Sequence, residues 1–333
     1  MLVGINYDNG PASTKLRGCI NDIVRIKNVL IKYYGYLDQN IVMLRDDAAG
    51  GGQRSPNYPS GQNIWSNLCA LVTASITNST GTNALQEIFV YYSGHGSRMT
   101  NLDSVIVPAD YAKAGVIPDR YIVSVLKCCR CRALTFWDSC NSGTVCDLPF
   151  TFTYNPFVGS TALLRVNNLS IANAQIVSLS GCKDSQTSAD AYDTTACMFD
   201  GAFTTAFLQS LAYNNYTGSL YKIYQDTCRF LNVTDKFSQN SVYSCSTNNP
   251  STITLTQTKA AAAVAVRSVI NDVVAATATA ASTASKPVLL PSVAAAATAP
   301  RSSSFLLSLA VMDVMPLAQI EQKPLRKNRW SMF

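Results

Sequence analysis

The sequence predicts an α/β domain built on a mainly parallel β-sheet flanked by helices. Three observations point there. Short runs rich in β-branched and aromatic residues, Ile88-Phe89-Val90-Tyr91 and Ala133-Leu134-Thr135-Phe136-Trp137, read as strands buried on both faces. Segments with the apolar period of a helix alternate with such runs along the chain. Residues capable of chemistry stand just past the carboxyl ends of the two runs, where open α/β sheets place their ligands. These are His95 in Tyr92-Ser93-Gly94-His95-Gly96 and Cys140 in Asp138-Ser139-Cys140-Asn141-Ser142-Gly143.

From the N-terminus, Leu2 to Tyr7 reads as a strand, and Cys19 to Tyr34 as a helix with an apolar face of Ile20, Ile23, Ile26, Val29, Leu30 and Tyr33. Gly35 stands where a C-cap is needed. Ile41 to Leu44 is a second strand, followed by a loop from Asp46 to Gly61 full of Gly, Pro and Ser. Gln62 to Ala74 is helical, and Glu87 to Ser93 is the strand that delivers His95. Ser104 to Val107 is a strand, Asp119 to Leu126 a helix, and Ala133 to Asp138 the strand that delivers Cys140. After an irregular stretch, Ala174 to Ser180 reads as a strand, Gly201 to Leu211 and Ser219 to Leu231 as helices, and Val242 to Cys245 as the last strand.

Composition narrows the class. At 333 residues the chain holds one full core with length to spare, and the surplus shows from about Thr258, where Ala, Val, Thr and Ser take over. Residues 258–333 read as a low-complexity extension: Arg267, Asn271 and Asp272 interrupt one apolar run, and Phe305 to Val314 is too short for a membrane span. The net charge of +6 comes from scattered Lys and Arg apart from a short basic segment at 323–329, so nucleic acid is not an expected partner. Eleven irregularly spaced cysteines, several inside apolar runs, and no signal peptide argue for a reducing, cytoplasmic location. Cys128-Cys129-Arg130-Cys131 has no second cysteine pair at ligand spacing and reads as structural thiols.

A cysteine serves as a nucleophile when its thiolate is accessible and a base stands nearby. Cys140 follows a strand directly among small polar residues, and His95, the single histidine of the chain, lies 45 positions earlier at another strand end. Each motif alone also reads as an ordinary turn; in this order on neighbouring strand ends they make a Cys-His dyad. The backbone N–H groups of Gly96 and Cys140 are then the natural oxyanion donors.

With these motifs in place, the chain resembles a type I metacaspase, a caspase-fold cysteine peptidase. The resemblance spans residues 2 to about 245 in six blocks: Val3-Gly4-Ile5-Asn6-Tyr7, Leu16-Arg17-Gly18-Cys19-Ile20-Asn21-Asp22, Tyr92-Ser93-Gly94-His95-Gly96, Asp138-Ser139-Cys140, Asp147-Leu148-Pro149-Phe150, and a stretch from Ser180 to Ala191. It implies a caspase-like three-layer sandwich over residues 1–257, divided into a large-subunit-like region (residues 1–150) and a small-subunit-like region (residues 174–257), and a monomeric state. It also implies protein or peptide substrates cut after Arg or Lys, and no organic cofactor.

The same resemblance assigns Asp22 and Asp138, with Ser93 and Cys19 beside them, to the pocket for the cationic side chain. That assignment makes physical sense, because two carboxylates attract a guanidinium and repel an Asp substrate. It implies a calcium site at Asp103, Asp119 and Asp147. Here the family's paired Asp-Asp has become Asp119-Arg120, and a guanidinium in place of a carboxylate weakens a site for a hard cation. Weak or absent calcium dependence is therefore expected. Asn141 stands where His usually follows the nucleophile. A catalytically weak caspase-like regulatory or binding protein is the alternative.

Overall fold

A computed structural model describes residues 1–81, 84–99, 104–139, 146, 148–165, 168–171, 175–181, 190–193 and 198–255 of the chain. The extension predicted from 258 onward lies outside the described residues.

The first half of the chain runs β1 (Leu2–Gly4), α1 (Cys19–Tyr34), β2 (Met43–Arg45), α2 (Gly61–Thr77) and β3 (Glu87–Ser93). It continues through β4 (Gly96–Arg98), β5 (Ser104–Ile106), α3 (Tyr111–Ala114), β6 (Ile117–Pro118), α4 (Asp119–Leu126) and β7 (Arg132–Asp138). The second half supplies β8 (Phe150–Asn155), β9 (Ser160–Arg165), β10 (Ile176–Ser180), β11 (Asp190–Asp193) and β12 (Met198–Gly201). Two helices, α5 (Ala202–Tyr213) and α6 (Leu220–Arg229), and the strand β13 (Val242–Cys245) complete it.

Eight strands form one sheet in the order β2-β1-β3-β7-β10-β13-β8-β9. The pairs from β2 through β10 are parallel, and β13, β8 and β9 add antiparallel pairs. Residues 150–165, expected to be irregular, are thus a hairpin at the sheet edge. Phe150-Thr151-Phe152-Thr153-Tyr154 has the two-residue alternation of a strand covered on one side. Strands from both predicted subunit-like regions pair in this one sheet. A three-stranded sheet β4-β5-β6 stands at the carboxyl end of β3.

The sheet has a core on each face. On one, Ile88, Val90, Tyr92, Ala133 and Trp137 pack with α2 and α4 through Ile64, Leu68, Ile122 and Val125. On the other, Phe89, Tyr91, Leu134 and Phe136 pack with α1, α5 and α6 through Ile23, Ile26, Phe203, Phe207 and Tyr224. This explains the unbroken hydrophobic runs: alternate residues of one strand are wanted by different layers. The ring centroids of Phe89 and Phe136 lie 4.7 Å apart, and those of Phe136 and Phe207 5.0 Å. Burying each such side chain stabilises by about 1.5–3 kcal/mol, so the central strands are the least movable part of the domain.

Local signals set the helix ends. The Ser60 hydroxyl accepts from Asn63 N–H at 3.2 Å and starts α2. Gly35 adopts φ 71° after α1, and the Tyr36 N–H donates back to Leu30 O. Among the described residues no helix is long and apolar enough to cross a membrane.

Candidate active site

The two predicted motifs leave adjacent strands at the same height. In the parallel β3–β7 ladder Ser93 stands opposite Asp138, and the Gly94 N–H extends the pairing to Asp138 O at 3.2 Å. His95 therefore emerges beside the chain that runs through Ser139 into Cys140. Ser139 is buried, and Cys140 itself lies outside the described residues.

The half-buried His95 is gripped at both its main chain and its ring. Its Nε2 lies 2.7 Å from the carbonyl oxygen of Thr14. A carbonyl only accepts, so Nε2 carries the hydrogen and Nδ1 holds the lone pair of the neutral ring. Burial pushes the imidazole below its ordinary value of 6.5, partly offset by the Thr14 carbonyl. With its midpoint lowered, the ring is neutral around pH 7 and able to take a proton. The Thr14 carbonyl is a contact that sequence could not name, since any residue at position 14 supplies the same group.

Gly94 and Gly96 flank His95 in different ways. A Cβ on Gly94 would fall 2.8 Å from the Tyr92 hydroxyl, which passes beneath the turn to donate to His95 O at 2.7 Å. Gly96 follows a hydrogen-bonded step, in which Val107 N–H donates to His95 O at 3.1 Å, and itself stands opposite Ile106. Antiparallel ladders alternate, so at this next step the N–H points away from β5, on the edge of the small sheet. That is the orientation an oxyanion donor needs.

The predicted pocket acids converge. Asp22, on the first turn of α1 just after the buried Cys19, accepts from Ser93 Oγ at 2.7 Å and from Gly201 N–H at 2.9 Å. Asp138 accepts from the Thr204 hydroxyl at 2.7 Å and the Thr204 N–H at 3.2 Å, at the start of α5. Both carboxylates are buried. Gly201 packs between them: a Cβ there would lie 2.8 Å from Asp22 Oδ2 and closer still to Asp138 Oδ2. Gly201 and Thr204 went unnoticed in the sequence, where Asp200-Gly201-Ala202 reads only as a helix start.

Of the three predicted calcium ligands, Asp103 and Asp147 lie outside the described residues. Asp119 is the buried first residue of α4, and the Arg120 guanidinium lies 4.8 Å from the Tyr121 ring centroid. Among the described residues no three His, Cys, Asp or Glu side chains converge as metal ligands. The Cys129 and Cys131 sulfurs are 3.5 Å apart, and the described cysteines are all free thiols.

Fold and site together define a caspase-like α/β protein with a histidine poised at the carboxyl end of the sheet. The profile of the family described as "Metacaspase, peptidase C14 domain" matches residues 1–149. Metacaspase-1 of Cryptococcus neoformans var. neoformans serotype D is 30% identical over 265 residues, covering 63% of this chain and 54% of its own. Metacaspase-1 of Mycosarcoma maydis is 31% identical over 276 residues, covering 67% and 64%. The chain is thus similar to the metacaspases, through the peptidase domain that residues 1–149 match and the relatives that extend the similarity beyond it. It spans little more than half the length of the Cryptococcus relative. The crystal structure of protein GSU0716 from Geobacter sulfurreducens superposes with a TM-score of 0.52 at 18% identity, covering 78% of this chain and 98% of that one, and shares the fold.

Two outcomes follow from the geometry. The single imidazole gives a single NMR titration, whose midpoint is expected below 6.5; a midpoint at or above 6.5 contradicts the buried site. Because the unfolded chain then binds the proton more readily, the domain loses stability as pH falls from 6.5 through the folded midpoint, and His95→Gln removes that dependence. Gly201→Ala is expected to cost about 1–3 kcal/mol in urea unfolding by forcing a methyl between two carboxylates. An unchanged midpoint would mean that the acids do not close on this backbone.

Proposed function

We propose that the chain is a cysteine endopeptidase that cuts protein or peptide substrates after Arg or Lys through Cys140 and His95. The observation that carries the proposal is the His95 ring, fixed through Nε2 on Thr14 O at the strand end beside the one leading to Cys140. With the hydrogen on Nε2, Nδ1 takes the Cys140 proton as the sulfur attacks the scissile carbonyl. The oxyanion is held by the N–H groups of Gly96 and Cys140. Nδ1 then gives the proton to the departing amine, leaving a thioester; water, activated by the same nitrogen, hydrolyses it and frees the thiol.

Asp22 and Asp138 supply the negative charge for the Arg or Lys side chain, with Ser93 fixing Asp22 and Cys19 one turn earlier on α1. Replacing the Gly201 and Thr204 donors with a guanidinium exchanges neutral hydrogen bonds for charge-assisted ones, the stronger kind. Calcium is not required in this proposal, because Arg120 places a cationic side chain beside Asp119, where a second acid would serve a metal. The enzyme works as a monomer in a reducing, cytoplasmic setting.

The enclosed acid pair favours a second reading, a regulatory protein with little turnover. Hydrolysis of a fluorogenic peptide ending in Arg, with millimolar calcium and with chelator, separates the two. The peptidase is expected to turn over in both conditions, to lose at least about 10³-fold in Cys140→Ala and His95→Ala, and to weaken on Arg peptides in Asp22→Asn. Silence of the wild type in both conditions selects the regulatory reading.

A further inference from the structure

We propose that Tyr7 is a positioning residue for His95, its hydroxyl inserted as a spacer between the His95 N–H and the Val107 carbonyl that follows β5. The proposal rests on His95 being the base of the peptidase and names what holds it in place.

The inserted oxygen is explicit in the hydrogen bonds. At the step where His95 faces Val107, one bond of the ladder is kept, Val107 N–H to His95 O at 3.1 Å, with the Tyr92 hydroxyl sharing that N–H at 3.2 Å. Its reciprocal is replaced: His95 N–H donates to Tyr7 Oη at 2.8 Å, and Tyr7 Oη–H donates to Val107 O at 2.7 Å. A direct bond would draw His95 toward Val107; the hydroxyl holds it one atom further out. The ring of Tyr7 also lies against the imidazole, centroids 4.5 Å apart and planes 34° apart, so the same side chain limits both main chain and ring. Burial first, and then the neighbouring Tyr92, hold the phenol well above 10, so Tyr7 keeps the proton it donates.

The chain maintains this arrangement against a backbone preference. Tyr7 sits at φ 57°, a region that bulky residues avoid. Its two flanks are pinned by one buried carboxylate, Asp46, whose Oδ1 accepts from Asn6 N–H at 2.8 Å and Oδ2 from Asp8 N–H at 3.1 Å. Beyond the turn, Leu16 N–H returns to Asn6 O at 2.9 Å and closes the loop that carries Thr14. One loop therefore grips His95 twice, by Tyr7 at the main chain and by Thr14 O at Nε2.

Tyr7→Phe keeps the ring and removes only the spacer. The expected result is a kcat at least about tenfold lower on an Arg-terminated peptide with KM within about twofold, since the change falls on the base and not on the acid pair. Nitrogen-15 spectra of the single imidazole are expected to change from one Nε2–H tautomer to a mixture with faster N–H exchange. Unchanged kcat and unchanged imidazole spectra in a folded Tyr7→Phe overturn the proposal. Should that variant not fold, the wild type decides: a slowly exchanging Tyr7 hydroxyl proton that shows an NMR cross-peak to the His95 amide supports the spacer, and its absence overturns it. If the wild type cleaves nothing, the peptidase reading fails, and the imidazole spectrum alone decides whether Tyr7 holds the ring.

Discussion

Seven consecutive backbone pairs between β3 and β7, from Glu87 opposite Arg132 to Ser93 opposite Asp138, set the geometry on which everything else depends. Neighbouring parallel strands lie about 4.8 Å apart, so Ser93 and Asp138 leave the sheet side by side. The ladder is held by aromatic packing on both faces and does not rely on the site's own polar contacts. A slip of one residue would exchange the faces of Tyr91 and Tyr92, placing a phenol meant for the Thr204 hydroxyl among aliphatic side chains. Register is thus fixed by the core and inherited by the chemistry.

Three of the carboxylates buried around this frame receive main-chain amides. Asp22 takes Gly201 N–H, Asp138 takes Thr204 N–H, and Asp46 takes the N–H groups of Asn6 and Asp8. Unpartnered, such charges would be costly in a buried setting; partnered, they tie distant segments together. Asp22 and Asp138 join the helix and strand of the first half to the β12–α5 junction of the second. Asp46 pins the loop from which Tyr7 and Thr14 reach His95. Burial pushes the Asp46 carboxyl up from its ordinary value, while the two N–H groups pull it back.

The sequence was informative where a signal is periodic or chemically rare. The helix Cys19–Tyr34 and the strand Glu87–Ser93 match their expected bounds, because a broad apolar stripe ending in Gly35 and a doubly buried run admit few other readings. His95 stood out as the one imidazole. The strands Gly96–Arg98 and Ile117–Pro118 were not expected, being too short to show alternation. The hairpin from Phe150 to Arg165 did alternate, yet its exposed second strand, with Leu163 and Leu164 both more than half exposed, lacks a buried face to mark it. Thr14 and Gly201 act through backbone atoms and spatial fit, which leave no trace in residue type. Ser219 to Leu231 was expected as one helix; the α-helix ends at Arg229 and a wider π turn covers Phe230–Thr234.

The central claim is that one thiol among eleven is the nucleophile, made so by His95. It is tested most directly by treating the protein with a thiol-alkylating peptidyl ketone ending in Arg and mapping the adduct by mass spectrometry. The account predicts a single adduct at Cys140, formed rapidly in the wild type and slowly in His95→Ala. Adducts spread over half-exposed thiols such as Cys128, or labelling of Cys140 at the same rate without His95, would contradict it.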